Sequence, residues 1–283
     1  MSLTYIYPGI NPSIMGAVKC AGDTLRMLPS QELLVPALVY TILSLPTLLQ
    51  SFSGSTSSAG VAAEVAYGVL LWLVAPFFTA GIMGVALEAR RGNATFSTFF
   101  QFARERYLNL LIATVVVVIA ALGVAMVALL GGMVAYLGGK MVSEQAGVIA
   151  VALFLMLFGI LVIAAAVLFS FYDACVVVEA SDPLSAFACS MRFVRSNLVH
   201  VLAFFVLAIA ILILLSLPNA VAMLYYLLTS LPEVSASLLE GGSMPKPGFG
   251  TAVLLILGYI ITNTLVTAFL PAYKAVFYSN LRR

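Results

Sequence analysis

Long apolar runs alternate with short polar breaks along this chain, and six of the runs reach about twenty residues or more with almost no charge. They fall at 31–50, 65–88, 107–138, 147–178, 198–230 and 251–279. The hydrocarbon layer of a bilayer is about 30 Å thick and takes about 20 apolar residues of helix to cross, so each run predicts one transmembrane helix. A porin-like barrel would show segments of about ten residues alternating in polarity, whereas these runs are continuously apolar, and a barrel is excluded. The opening residues lack the basic stretch, short apolar core and small-residue cleavage site of a secretory signal. The first long run begins only near Leu33, so the first span is expected to remain in the mature protein.

One polar break, SDPLSAFACSMRFVRSN at 181–197, has the pattern of a short amphipathic helix. Asp182 suits the N-cap and Pro183 the first helical position, where its missing N–H costs nothing. Leu184, Phe187, Ala188 and Met191 follow at i, i+3, i+4 and i+7, which makes one apolar stripe. Ser185, Arg192 and Ser196 lie opposite, with Arg195 at the boundary. Such a helix can lie in the interface and offer arginines to anionic headgroups, at about 1 kcal/mol per basic residue. Phe96, Phe99, Phe100 and Ala103 repeat the stripe, Arg104 falls on Arg192, and Asn109-Leu110 falls on Asn197-Leu198. Asn11-Pro12 repeats the cap, with Ile14, Val18, Ala21, Leu25 and Leu28 as the stripe and Lys19, Asp23 and Arg26 facing away. Leu43-Ser44-Leu45-Pro46 in the first span recurs as Leu215-Ser216-Leu217-Pro218 in the fifth, and Gly131-Gly132 holds the corresponding place in the third.

The expected fold is therefore an all-α integral membrane protein of six transmembrane helices with three cytoplasmic interfacial amphipathic helices. The chain forms a single transmembrane domain over 1–283, built from three direct repeats of about 85 residues (11–90, 94–179, 182–279), each an interfacial helix followed by a helical hairpin.

Composition agrees: 63% of residues are hydrophobic and 8% charged, where a soluble domain carries about 25% charged. The distribution of charge adds an orientation. If the spans alternate, Lys19, Arg26, Arg90, Arg91, Arg104, Arg106, Arg192, Arg195, Lys274, Arg282 and Arg283 share one side, against Lys140 and Lys246 on the other. The positive-inside rule then predicts a cell-membrane protein with both termini cytoplasmic. Cys20, Cys175 and Cys189 fall on that reducing side, so disulfides are not expected. Asn93-Ala94-Thr95 has the glycosylation pattern but lies on the wrong side for it.

Three stretches carry a family resemblance: Glu88 to Gly92 followed by Thr95 to Phe102; Val176-Val177-Val178-Glu179 leading into Asp182 to Asn197; and the terminal Phe277-Tyr278-Ser279-Asn280-Leu281-Arg282. Together they resemble the uncharacterised prokaryotic polytopic proteins related to the membrane domain of glycerophosphoryl diester phosphodiesterases. The resemblance implies a membrane module and carries over no catalytic residue. The soluble phosphodiesterase barrel, with its metal-binding acids and histidines, has no counterpart here.

Candidate chemistry is sparse. Ionisable groups in mid-membrane cost about 2.5–3.5 kcal/mol and are kept for function, yet the centre of every span lacks them, which leaves a carboxylate proton relay without residues. Asp173, the deepest acid, could bind a cation or a substrate ammonium; pairing with Arg104, Arg106, Arg192 or Arg195 at headgroup level is the preferred reading. His200 is the single histidine, and without a Cys-x-x-Cys a zinc site would have to be assembled from scattered cysteines and acids, so no metal or other cofactor is expected. A Ser-His-Asp set from His200, Asp173 and Ser190 or Ser196 can be drawn, but no nucleophile-elbow motif supports it. Ser216 and Asn219 near Pro218, with Asn263 and Thr267 in the last span, could line a cavity; ordinary interhelical bonding is preferred. The segment from Leu231 to Gly250 reads as the longest outer loop. Basic residues spread along a membrane edge do not imply nucleic acid.

The expected function is a non-enzymatic membrane-organising or partner-binding subunit, with an uncoupled transporter or channel for a small solute or lipid as the alternative. Its expected partners are anionic lipid headgroups, touched by Arg104, Arg106, Arg192 and Arg195, and a partner membrane protein or further copies of the chain.

Overall fold

The computed structural model describes residues 12–53, 58–239 and 248–282. Asn11 of the first predicted cap, Lys246 and Arg283 lie outside them. The chain is 91% helical, with no strand among the described residues. Among the described residues ten helices follow in order: α1 (Pro12–Met27), α2 (Gln31–Ser53), α3 (Ser58–Ala89), α4 (Phe96–Lys140), α5 (Glu144–Phe169), α6 (Tyr172–Glu179), α7 (Pro183–Ser196), α8 (Leu198–Leu215), α9 (Leu217–Leu239) and α10 (Phe249–Leu281). Six segments among the described residues are long and apolar enough to cross a membrane: Gln31–Leu49, Ala59–Ala89, Phe96–Lys140, Glu144–Glu179, Leu198–Leu215 and Phe249–Leu281.

Three boundaries differ from expectation, each for a local reason. The predicted second interfacial helix is not a separate element, because nothing interrupts the helical pattern after Phe96. It forms the first turns of the 45-residue α4, about 68 Å long at 1.5 Å per residue. The predicted fourth span breaks at Ser170 and Phe171, where a side chain from α7 takes over the backbone bonds described below. The predicted fifth span breaks at Ser216, two residues before Pro218, whose missing N–H leaves the carbonyl one turn earlier without its donor. The Ser216 hydroxyl meanwhile doubles its own N–H bond to the Leu212 carbonyl, at 2.7 Å. In α2 the matching Pro46 leaves the helix continuous. Ser44 and Thr47 donate to the Thr41 and Ser44 carbonyls, and the Tyr67 hydroxyl of α3 donates to the Leu43 carbonyl. The outer loop also begins later than expected, since α9 runs on to Leu239.

The chain divides into two compact units, the first formed by residues up to Tyr107 together with Val199 onward, the second by Leu108–Leu198. In the first unit α10 is the central element, packing on α1, α2, α3 and α9. Its buried Tyr273 stacks on Phe204 of α8 at 4.5 Å and on Phe269 at 5.3 Å, and its hydroxyl donates to the Ala17 carbonyl of α1. Glycines set the close approaches. A Cβ at Gly81 would fall inside the ring of Phe99, and one at Gly84 inside Phe102, which is how α3 accepts the start of α4. At Gly258 a Cβ would lie 3.1 Å from the Pro218 carbonyl, so α9 and α10 close tightly there.

The second unit is the rest of α4, then α5, α6 and α7. Ser143 caps α5 by accepting from the Ala146 N–H, and at Gly139 the α4 backbone runs against that of Ala146 and Gly147. The α5–α6 break is held from α7. The fully buried Ser190 donates to the Leu168 carbonyl at 2.9 Å and accepts from the Phe171 N–H at 3.1 Å. Phe187 packs on Phe169 and Tyr172, and Phe193 on Phe171.

The predicted apolar stripes are split between inside and outside. In α7 the buried residues are Ala186, Ser190, Phe193 and Val194, while Leu184 is 71% exposed. In α1 they are Ala17, Cys20, Ala21 and Thr24, with Leu28 buried just beyond its end and Val18 and Leu25 exposed; on α4 Phe99 and Ala103 are buried, with Phe96 and Phe100 exposed. Each packed face includes small residues, Ala186 and Ser190, Ala17 and Ala21, and Ala103, that let backbones approach, with larger ones such as Phe193 and Phe99 filling in beside them.

Candidate functional site

In the first unit the end of α3, the C-terminal turns of α10, the middle of α1 and the start of α8 surround a cavity of about 290 Å³. Its lining includes Lys19, Arg90, His200, Cys20 and Asn280. The helices end here because the sequence stops them: after Ala89 the chain turns through Gly92 at φ 78°, a backbone conformation that favours glycine. Beside this turn Arg91 pairs with Glu88 at 2.6 Å, so the neutralised arginine is Arg91 and not Arg90.

Arg90 is held from α10. Its guanidinium donates to Ser279 Oγ at 3.1 Å and to Asn280 Oδ1 at 2.8 Å, and the Asn280 amide in turn donates to Cys20 Sγ at 2.7 Å. These partners are neutral, so among the described residues the positive charge is positioned without being cancelled. Burial pushes the Cys20 thiol above its ordinary range, against the Asn280 hydrogen bond and the Arg90 charge, which pull it down. Cys20 is thus a neutral, buried wall residue rather than a nucleophile. Lys19 is exposed beside it and His200 half-buried. The arrangement is a basic cleft, suited to an anionic oxygen-rich group.

Sequence reading placed Lys19 and Arg90 on the basic side and singled out His200 as the single histidine, but did not bring them together. Two stretches far apart in the chain, Glu88 to Gly92 and Phe277 to Arg282, meet at this cleft.

The residues singled out beforehand are arranged differently. Arg104 is exposed and lines a shallow hollow with Phe100, Gln101 and Glu105 on one face of α4. Arg106 is half-buried, and Arg192 and Arg195 are exposed on α7. Asp173 is buried in the first turn of α6 and accepts from the Ala174 N–H at 2.8 Å. Ser196 donates to the Phe193 carbonyl within its own helix. Ser216, at the α8–α9 break, donates back to the Leu212 carbonyl of α8, and Asn263 donates to the Tyr259 carbonyl of its own helix. Asn219 sits where α9 closes on Gly258, and Thr267 is half-buried. Thr262 and Thr264, which flank Asn263, are buried with hydroxyls that find no partner among the described residues.

In the second unit the expectation of free cysteines is overturned: Cys175 of α6 and Cys189 of α7 are joined as a disulfide, with their Cα atoms 6.3 Å apart. The sharp turn through Ala180, at φ 58°, folds α7 back so that the two side chains meet. Compartment reasoning alone could not foresee that proximity.

The described residues have the architecture of an all-helical protein, with six helices long and apolar enough to span a bilayer. Within that class, the chain belongs to the family described as domain of unknown function DUF7847, which matches residues 15–281. No curated protein and no solved structure matches it.

Proposed function

We propose that this is a non-enzymatic multi-pass protein of the cell membrane, with both termini cytoplasmic, which organises its surroundings by holding an anionic, phosphate-bearing group in the basic cleft of the first unit. The observation that carries the reading is Arg90, fixed by two neutral partners on α10 beside Lys19 and His200. A pre-positioned guanidinium loses little further freedom on binding, and it matches phosphate geometry. The exposed apolar and basic residues of α1, α4 and α7 support the same reading: Val18 and Leu25 with Lys19 and Arg26, Phe96 and Phe100 with Arg104, Leu184 with Arg192 and Arg195. These segments would rest on the cytoplasmic leaflet as three interfacial anchors of a threefold repeat over 11–90, 94–179 and 182–279. The exposed apolar faces of α4 and α5 would meet lipid, a partner membrane protein or another copy.

The test uses the full-length protein in nanodiscs of zwitterionic lipid doped with an anionic phospholipid, with retained lipid read by native mass spectrometry. One anionic lipid per chain is expected to survive. Lys19→Gln should weaken retention about fivefold, from about 1 kcal/mol per basic residue, and Arg90→Gln should weaken it at least as much. Competition by inorganic phosphate would assign the cleft to free phosphate; no competition would assign it to lipid. Equal retention of anionic and zwitterionic lipid, unchanged by Lys19→Gln, would overturn the proposal. An uncoupled conduit is the second reading, favoured by the unpartnered Thr262 and Thr264 hydroxyls in α10. It requires solute flux in vesicles that Thr262→Val diminishes.

A further inference from the structure

The second unit assembles a set of side chains that belongs to none of the chemistry above. Cys175 and Glu179 are one turn apart on α6 and so share a face, and the turn at Ala180 brings Cys189 of α7 against both. Cys189 Sγ lies 3.4 Å from Glu179 Oε1, and the two sulfurs and the carboxylate oxygen all lie within 4.8 Å of one another. Cys175 is buried, while Glu179 and Cys189 are half-buried, so the cluster is sheltered on one side and reachable from the other.

We infer that in its dithiol state this cluster is a binding site for one thiophilic divalent cation of the zinc type, and that disulfide formation closes it. Two thiolates and a carboxylate are three ligands for a tetrahedral ion, whose fourth position is left to water. With metal–sulfur bonds of about 2.3 Å and a metal–oxygen bond of about 2.0 Å, ligand atoms in a tetrahedron lie roughly 3.5 Å apart, which the observed grouping brackets. The sulfurs need only part to about 3.7 Å, a movement that rotation about their own side-chain bonds can supply. Charge also balances. A dication with two thiolates and one carboxylate carries one net negative charge, and the Arg192 guanidinium lies close enough to Glu179 for its charge to act there. Arg192 is thus a positioning and compensating residue around the site.

The redox step is a two-electron exchange. A phosphine reductant attacks one sulfur and the S–S bond breaks. Phosphorus gives up two electrons and takes an oxygen from water to become the phosphine oxide, and the two protons of that water end on the sulfurs. Metal binding then releases two thiol protons as both sulfurs become ligands. The cytoplasmic placement of α6 and α7, part of the functional proposal above, would keep the dithiol form in residence; the experiment applies reductant directly and does not depend on that placement.

The test is titration of the full-length protein in detergent micelles with Cd²⁺, after reduction by a phosphine and its removal without oxygen. One equivalent of Cd²⁺ should produce sulfur-to-cadmium charge-transfer absorption, and Zn²⁺ should displace it. Cys189→Ser should abolish the band, Cys20→Ser should leave it intact, and Glu179→Gln should retain it with affinity reduced at least tenfold. The oxidised wild-type protein, in which no residue has been changed, should give no band. The inference is overturned if reduced wild-type protein binds no stoichiometric Cd²⁺, or if it binds equally when oxidised or when Cys175 and Cys189 are both serine.

Discussion

Replacing Ser190 with alanine removes one oxygen atom from the second unit, and that oxygen makes both of the bonds that hold the α5–α6 break. Its hydroxyl donates to the Leu168 carbonyl at 2.9 Å and accepts from the Phe171 N–H at 3.1 Å, in a site with no exposed surface. A net hydrogen bond is worth about 0.5–1.5 kcal/mol, and leaving a buried group unsatisfied costs about 1–3 kcal/mol. Side-chain bonds between membrane helices average only about 0.6 kcal/mol, because the unfolded chain in lipid finds other partners. Two such bonds set a floor near 1.2 kcal/mol and the burial raises it, so Ser190→Ala is expected to cost about 2 kcal/mol. The assay is unfolding of the full-length protein in mixed micelles, followed by circular dichroism and by hydrogen exchange at the Phe171 amide, which should lose protection. Ser196→Ala is the control. Its hydroxyl donates to Phe193 in its own helix at an exposed position, and its change should stay within about 0.5 kcal/mol. A cost for Ser190→Ala below about 0.5 kcal/mol, with Phe171 still protected, would refute the view that α7 holds this break.

Two further outcomes follow from packing and burial. Gly81→Ala would drive a methyl into Phe99, whose ring is already hemmed in by Phe77, Phe78 and Phe100, and should destabilise by about 1–3 kcal/mol in thermal unfolding; Gly123→Ala, with open space around it, should not. Cys20, raised above the ordinary 9.0, should resist alkylation at pH 8 in the folded protein. Because the raised value favours the protonated thiol in the fold, the linked stability should be full below the ordinary value and fall as pH rises through it toward the raised one. Cys20→Ser should flatten that fall in unfolding curves measured across this range.

The six apolar spans were legible because length and continuity of apolar sequence are what a bilayer demands of a helix. Their interruptions were not. Whether a helix breaks at Phe171 depends on a serine nineteen positions later in the chain, supplied by another helix. The orientation of the short helices was half legible for a related reason. Hydrophobicity marks Leu184 and Phe187 as apolar, but in lipid an apolar side chain is content on either face, and small residues such as Ala186 and Ser190 decide which face packs. The basic cleft was hidden by distance, since Cys20 and Asn280 meet only once α1 and α10 are packed. The cysteine pair was hidden by a backbone turn at Ala180 that no residue type in the sequence demands.

The central place of α10 has a consequence for biosynthesis. α1, α2 and α3 leave the ribosome well before their packing partner α10: the Ala17 carbonyl waits for Tyr273, and Arg90 waits for Ser279 and Asn280. At roughly 5–20 residues per second, tens of seconds or a little less separate the end of α3 from the appearance of α10. During that interval the faces of the early helices that pack on α10 lack that partner. A nascent chain arrested before Phe249 should therefore contain a closed second unit and an open first one.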